Sequence, residues 1–169
     1  MCSARIISDA AIMLVLLFMA SINPARADAR TDIKTLLDRY IAAVEAKDTD
    51  AIMKLYVPDG TLLVFDVTPP RQYIGEAAYR KDWQEFLDSF NGPITVNVTE
   101  LDIVADRNLA YSHDIERYMG TDMQGKKVDF TVRVTDIYKK INGHWLVVHE
   151  HNSFPVDLDT GRADLNSKP

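Results

Sequence analysis

The sequence has almost no cysteine: Cys2 is the only one among 169 residues. A lone cysteine cannot form an intramolecular disulfide, and cysteine-rich zinc sites need several. Cys2 also falls in a segment that we expect to be removed, so the mature protein has no thiol. These absences exclude disulfide-stabilised scaffolds, zinc fingers and cysteine-dependent enzymes.

Clusters of positive charge are missing too. The chain has 19 Lys and Arg against 25 Asp and Glu, a net charge of −6 at pH 7, and no stretch concentrates its basic residues. Nucleic-acid binding depends on neutralising phosphates with such clusters. We therefore expect no nucleic-acid partner and look for a small-molecule ligand.

The sequence also lacks an apolar run long enough to span a bilayer, which takes about 20 residues. Its leading apolar run, residues 10–22, follows Arg5 and is followed by Ala25-Arg26-Ala27. A charged start, a short apolar run and a small-x-small motif are typical of a signal peptide. We predict a cleaved leader over residues 1–27, a mature chain beginning at Asp28, a periplasmic or secreted location and no membrane in the mature form. An uncleaved anchor is the alternative.

Three amphipathic helices are predicted in the first part of the mature chain. The first begins near the potential cap Thr31-Asp32 and repeats apolar residues at helical spacing. A shorter helix follows from Thr49 or Asp50, and a third begins around Gly75. The apolar stripe of the first helix comprises Ile33, Leu36, Leu37, Tyr40, Ile41 and Val44.

Strands dominate the second part. A short buried strand is predicted over residues 61–65, and alternating patterns predict four more over residues 94–104, 109–119, 127–140 and 144–154. The last four are joined by short connections, which force antiparallel neighbours. We therefore predict an α+β domain over residues 28–169: a curved antiparallel meander covered by three N-terminal helices, a hollow at its open end, and a polar tail from about residue 155.

This order, and three motifs within it, resemble the SnoaL-like or nuclear transport factor 2-like superfamily, which includes ketosteroid isomerases. The motifs are Ala46-Lys47-Asp48, the turn of residues 55–60, and the closing hairpin of residues 142–153. That hairpin is also similar to the association domain of calcium/calmodulin-dependent protein kinase. The resemblance implies a cone-shaped fold, a pocket and a homodimer. It leaves the function open, because the superfamily includes isomerases, cyclases, dehydratases, binding modules and assembly domains.

Asp66 is the candidate general base, since it follows an apolar strand beside the expected hollow. A carboxylate in an apolar pocket has a raised pKa and can accept a proton near neutral pH. Tyr56 and Tyr79 are the candidate catalytic hydroxyl donors, with Tyr73 as a further candidate. The alternative is that Asp66 only caps the turn that follows it.

Arg133 is the candidate ligand clamp. It lies in the middle of a predicted strand, and a similar arginine lines the cavity of the kinase association domain. The resemblance therefore implies that Arg133 binds a carboxylate or oxyanion. Asn152 stands where that domain has a second arginine. A solvated strand face is the alternative interpretation of Arg133.

His149 and His151 are two residues apart on a strand and are predicted to share a face. We assign them, with His113 and Trp83, to ligand binding. A metal site would need a third ligand, and His113 is predicted to lie two strands away. We therefore predict neither a metal nor a cofactor.

Three functional hypotheses follow. The first is an exported, homodimeric domain that binds a small, partly apolar carbonyl or oxyanion compound. The second is an isomerase, cyclase or dehydratase that uses Asp66 as general base without a cofactor. The third is a non-catalytic assembly domain.

Overall fold

The computed structural model describes residues 24–167. The predicted leader lies outside these residues except for positions 24–27, so the predicted cleavage stays a prediction. Within the described part, no helix is long and apolar enough to cross a membrane.

The helices are α1 (Pro24–Glu45), α2 (Thr49–Met53) and α3 (Glu76–Asp88). The predicted cap at Thr31-Asp32 is wrong, because α1 begins seven residues earlier with a proline in its first turn, where the missing N–H costs nothing. The cap of α2 is Asp48, whose side chain accepts a hydrogen bond from the Ala51 backbone. The predicted apolar stripe of α1 is buried in the core, with Ile41 partly buried at its edge.

The strands are β1 (Leu63–Phe65), β2 (Tyr73–Ile74), β3 (Thr95–Ala105), β4 (Leu109–Thr121), β5 (Lys127–Ile141) and β6 (His144–Ser153). They form one sheet in the order β2-β1-β6-β5-β4-β3. The predicted antiparallel meander is confirmed for β3 to β6. Sequence analysis missed β2, and it missed that β1 joins the meander in parallel with β6.

Two irregularities curve the sheet. The register shifts between Thr99 and Asp102 in β3, and again in β6, where Val148 is the extra residue opposite the Ile137–Tyr138 step. Bulges of this kind bend a strand and increase its twist. The helices cover the concave, inner face, and the convex, outer face carries the more exposed side chains.

The tail after β6 folds back along the sheet. Val156 and Ala163 form an isolated bridge, and the Thr131 N–H of β5 donates to the Leu165 carbonyl at 2.8 Å. The pairing of β5 with β6 ends at Arg133, opposite Ser153, so the part of β5 before Arg133 has no β6 neighbour. The tail therefore occupies an open stretch of strand edge and brings Leu165 to the open end of the cone.

Candidate functional site

A cavity of about 490 Å³ opens between α3, the loop after β1 and the ends of β4, β5 and β6. Sixteen residues line it, eight of them with aromatic or proline rings. They are Asp66, Val67, Thr68, Pro69, Tyr73, Tyr79, Asp82, Trp83, Glu85, Phe86, Tyr118, Phe130, Val132, Asn152, Phe154 and Leu165.

Aromatic rings form the deep wall of the cavity. Tyr118 and Phe130 stack at 5.2 Å between ring centroids, and Phe86 meets Tyr118 edge-on at 5.7 Å. Phe154 packs against Phe130, and Trp83 against Phe86. Such rings offer a large apolar surface at little cost in side-chain entropy, which suits a flat or apolar ligand.

Two carboxyl groups, Asp66 and Asp82, form what we call the cavity pair. The interaction between the two carboxyl groups acts to raise the pKa of Asp82 and to lower that of Asp66. Burial raises the pKa of Asp82 to about 6, and burial together with the charge of Glu150 raises the pKa of Asp66. Tyr73 donates to Asp82 at 2.6 Å. Carboxyl groups with raised pKa values at an apolar surface can transfer protons near neutral pH.

Glu150 on β6 holds the polar side of the cavity in place. Its carboxylate accepts hydrogen bonds from Tyr56 and Tyr79, each at 2.5 Å, and from Asn152 at 2.7 Å. Asn152 also reaches Asp66 at 3.4 Å. Glu150 is 4% exposed, and burial raises its pKa while the three donors lower it. The network connects Tyr56 and Tyr79 to the cavity pair.

Three more acids are buried on the inner face of β4 and β5; with Glu150 we call them the interior set: Asp114, Glu116, Asp136 and Glu150. Glu116 accepts hydrogen bonds from Tyr40, at 3.2 Å, and from Tyr118. Burial first, and then the charge of Asp114, raise the pKa of Glu116 to about 8.

Asp136 and Asp114 are less well bonded. Asp136 accepts from Tyr138 at 2.9 Å through one oxygen, while its other oxygen has no partner among the described residues. Both oxygens of Asp114 are likewise without a partner there. Burial raises the pKa of Asp114 to about 7 and that of Asp136 well above its usual range. An unpartnered carboxyl in such surroundings favours its neutral form.

A second hollow, of about 580 Å³, lies at the opposite end of the cone beside the β5–β6 turn. Most of its lining is exposed, including Arg39, Lys54 and His144. The cavity beside α3 has the more buried lining and the cavity pair, and it is therefore the candidate site.

The structure brings four predicted site residues together: Asp66, Tyr73, Tyr79 and Trp83 line the cavity. Tyr79 and Trp83 lie one helical turn apart on α3, with ring centroids 6.0 Å apart. Tyr56 lies behind this wall and reaches the cavity only through Glu150.

The structure contradicts the predicted roles of Arg133 and His113. Both side chains are exposed on the outer face, because Val132, Val134 and Asp136 turn inward on β5 and Ser112 and Asp114 turn inward on β4. Arg133 therefore cannot clamp a ligand in the cavity. His113 instead lies 3.9 Å from Asp102 at the surface.

His149 and His151 also lie on the outer face, which corrects their assignment to ligand binding. Both pack edge-on against Phe65, and His149 Nδ1 hydrogen bonds to the Leu63 carbonyl at 2.8 Å. The physical reason is the bulge at Val148, which reverses the alternation so that Glu150 turns inward. Within residues 24–167, no three His, Cys, Asp or Glu side chains are arranged to hold a metal ion.

Sequence analysis missed Asp82, Glu150 and the rest of the interior set. Asp82 could have been found, because it lies three residues after Tyr79 and one before Trp83, on the same helical face. The acids of β4 gave a weaker signal, since polar residues occupy both faces of that strand. Glu150 gave none, because its direction depends on the bulge.

Comparison with known proteins agrees with this architecture. The profile of the SnoaL-like domain family matches residues 33–157. No curated protein matches the sequence. A nuclear transport factor 2-like protein of unknown function from Pseudomonas putida KT2440 is 29% identical, with a TM-score of 0.76 over 85% of this chain and 98% of its own.

Two further solved structures are similar in fold. A nuclear transport factor 2-like superfamily protein from Salmonella enterica serovar Typhimurium is 17% identical, with a TM-score of 0.71 over 82% of this chain and 99% of its own. A Xanthomonas campestris protein named as a calcium/calmodulin-dependent protein kinase II association domain is 24% identical, with a TM-score of 0.65 over 77% and 89%.

Proposed function

The chain belongs to the SnoaL-like domain family, and from that premise we propose that it binds a small, partly apolar molecule in the cavity beside α3. The observation that carries the proposal is the cavity of about 490 Å³, walled by aromatic rings and bordered by the cavity pair. Small-molecule sites are concave and mostly apolar, with a few placed polar groups, and have this range of volumes. Because Arg133 lies outside the cavity, this proposal does not include an arginine that binds an oxyanion.

The binding proposal is tested by filling the cavity. A thermal-shift screen of apolar metabolites identifies ligands, and Val67→Phe then places a ring in the space they would occupy. Val156→Phe is the matched control, because Val156 is 52% exposed and outside the lining. We expect Val67→Phe to abolish the shifts and Val156→Phe to keep them; equal shifts in both variants would contradict the proposal.

A second candidate function is proton abstraction next to a carbonyl group. The observation that favours it is the pair of carboxyl groups, Asp66 and Asp82, in the lining of an apolar cavity, with Asp66 at the end of β1 as the base. In this scheme Asp66 removes a proton from carbon, and the Trp83 N–H, which lies in the same lining and has no partner among the described residues, stabilises the enolate oxygen. The reaction needs no cofactor.

Exchange of solvent deuterium into apolar ketones tests this second function. Asp66→Asn removes the base, whereas Asp88→Asn changes an exposed carboxylate on the same helix as Asp82. We expect the wild type and Asp88→Asn to exchange at similar rates. Exchange in Asp66→Asn should be slower by about a hundredfold or more. Equal rates in all three proteins would eliminate Asp66 as a base.

We further propose that the protein is a homodimer that pairs through the outer face of its sheet. Apolar side chains on that face lie side by side across neighbouring strands: Val104 opposite Tyr111, and Tyr111 opposite Ile137. Val104 and Tyr111 are 43% and 44% exposed. Light scattering of the mature chain should give twice the monomer mass, and Tyr111→Glu should halve it. A monomeric wild type would contradict this proposal and the assembly hypothesis together.

The export proposal rests on residues 1–27 and has a direct test. Cell fractionation of a host producing the full chain should place the protein outside the cytoplasm, and its N-terminal sequence should begin at Asp28. An intact N-terminus in the membrane fraction would indicate an uncleaved anchor instead.

A further inference from the structure

The tyrosine hydroxyls around the cavity already donate to groups of the protein. Tyr79 donates to Glu150, Tyr118 donates to Glu116, and Tyr73 reaches the Pro69 carbonyl and Asp82. A tyrosine hydroxyl has one proton to donate. These three hydroxyls can therefore accept a hydrogen bond from a ligand, but they cannot donate one without breaking the contacts that hold the wall together.

The one side-chain amide in the lining also presents an acceptor, and not a donor, to a ligand. Asn152 directs its Nδ2 to Glu150 at 2.7 Å and to Asp66 at 3.4 Å, so both of its protons are taken. Its carbonyl oxygen is left as an acceptor. An amide turned the other way would set its oxygen against two carboxylates, which is electrostatically unfavourable.

Charge in the lining is of one sign. Asp66, Asp82 and Glu85 are among the sixteen lining residues, and Lys, Arg and His are not. One buried donor is left, the indole N–H of Trp83, which has no partner among the described residues. The residue is 6% exposed. The cavity thus presents several acceptors and negative charges to a ligand, against this one buried neutral donor.

The apolar wall favours the same kind of ligand. Aromatic faces attract cations, and the attraction is larger where water is excluded. Trp83, Phe86, Tyr118 and Phe130 lie in the same lining as the cavity pair. A cation bound to the carboxyl groups would therefore have its apolar body against these rings.

We propose that the ligand is an organic amine, protonated at neutral pH, whose ammonium group binds the Asp66–Asp82 pair while its apolar body packs on the aromatic wall. The ammonium supplies hydrogen-bond donors that the three tyrosines and Asn152 cannot supply, and the positive charge that offsets the pair. The Trp83 N–H is free to bind an oxygen elsewhere on the ligand. This inference rests on the proposed binding function and narrows it to one chemical class.

Two matched sets of probes test the inference by isothermal titration calorimetry. The first set is 2-phenylethylamine, 2-phenylethanol and phenylacetate; the second is tryptamine, tryptophol and indole-3-acetate. Within each set the apolar body is nearly constant and the charge changes. We expect the amine to bind at least roughly tenfold more tightly than the alcohol, and the carboxylate to bind most weakly, because charge-assisted hydrogen bonds are about twice as strong as neutral ones.

Variants locate the effect. Asp66→Asn and Asp82→Asn should each reduce the preference for amine over alcohol and leave the alcohol's affinity within about twofold. Asp88→Asn, on the exposed side of α3, should keep the preference. Circular dichroism of each variant verifies that it folds. The comparison of amine, alcohol and carboxylate binding to the wild type does not depend on the variants.

The outcomes separate this inference from the proposed function. Equal binding of amine and alcohol, or tighter binding of the carboxylate, would overturn the amine assignment and leave an apolar binding pocket. A preference for amine that survives both Asp66→Asn and Asp82→Asn would also overturn it. Failure of all six probes to bind would overturn the amine assignment, and the wider metabolite screen would then decide the proposed function separately.

Discussion

The cavity pair and the interior set are both groups of acids with raised pKa values, but their surroundings differ. Each member of the cavity pair borders open volume, and Asp82 takes its donor from the rim residue Tyr73. In the interior set, Glu150 and Glu116 are surrounded by buried tyrosines from α1, α3 and the strands. The comparison indicates that burial alone does not mark a site: the interior acids contact the buried core, and the cavity pair borders the proposed binding site.

The largest effect should follow removal of Glu150. Glu150→Ala leaves the hydroxyls of Tyr56 and Tyr79 and the Asn152 amide without their acceptor in a buried region. Leaving buried donors unpaired is costly, so we expect the free energy of unfolding to fall by about 3 kcal/mol. Urea denaturation measures this. Asp82→Ala is the comparison, expected to lose less than about 1 kcal/mol, and equal losses would remove the distinction between the two groups.

The second effect is on pH dependence. Folded-state pKa values near 8 for Glu116 and near 7 for Asp114 lie above those of the unfolded chain, so the folded protein binds more protons. The resulting stabilisation is complete below about pH 4 and is lost as pH rises through 7 to 8. We expect Tm to fall between about pH 5.5 and 8, with each group contributing at most about 1.4 kcal/mol per pH unit.

Glu116→Gln tests the assignment of this slope, since an amide does not titrate. The variant should flatten the fall in Tm, whereas Asp82→Asn should leave most of it, because the pKa of Asp82 is only about 6. A wild-type Tm that is constant or rises across this range would contradict the raised pKa values of the interior set.

A smaller effect is expected from single hydroxyls. Tyr40→Phe removes one of the two tyrosine donors to Glu116 and should lower the free energy of unfolding by about 1 kcal/mol. Tyr73→Phe removes the donor to Asp82 at the cavity rim, where water can replace it, and should cost less than about 0.5 kcal/mol. Chemical denaturation of both variants gives the comparison; a larger loss for Tyr73→Phe would reverse it.

The smallest effect should come from the outer face. Arg133→Ala changes an exposed side chain that does not line the cavity. We expect a change in stability within about 0.5 kcal/mol and unchanged ligand binding. Loss of binding in this variant would restore Arg133 as a clamp and contradict its placement.

The fold was largely predictable because the periodicities are strong. The apolar stripe of α1 and the alternation of β5 correctly indicate which faces are buried, including the outward direction of Arg133. Only the resemblance to the kinase association domain led to its placement in the pocket. Local propensity could not predict β2 or the parallel β1–β6 pairing, because these depend on contacts distant in sequence.

The site was predictable only in part. Asp66, Tyr79 and Trp83 follow from an apolar strand end and a helical repeat. Glu150 does not follow, because a regular β6 would place His149 and His151 on the face of Trp145, and the extra residue Val148 reverses that choice. Bulges carry little signal in a single sequence, yet one residue decides whether histidines or a carboxylate face the helices.

The difference between the two groups of acids is tested most directly by the side-chain carboxyl resonances of Asp and Glu in a ¹³C NMR titration with tryptamine. Carboxyl shifts report protonation and charge contact residue by residue. The account predicts that Asp66 and Asp82 shift with saturation while Glu116 and Asp114 stay in place. Saturable tryptamine binding that moves Glu116 and leaves Asp66 and Asp82 unchanged would contradict it.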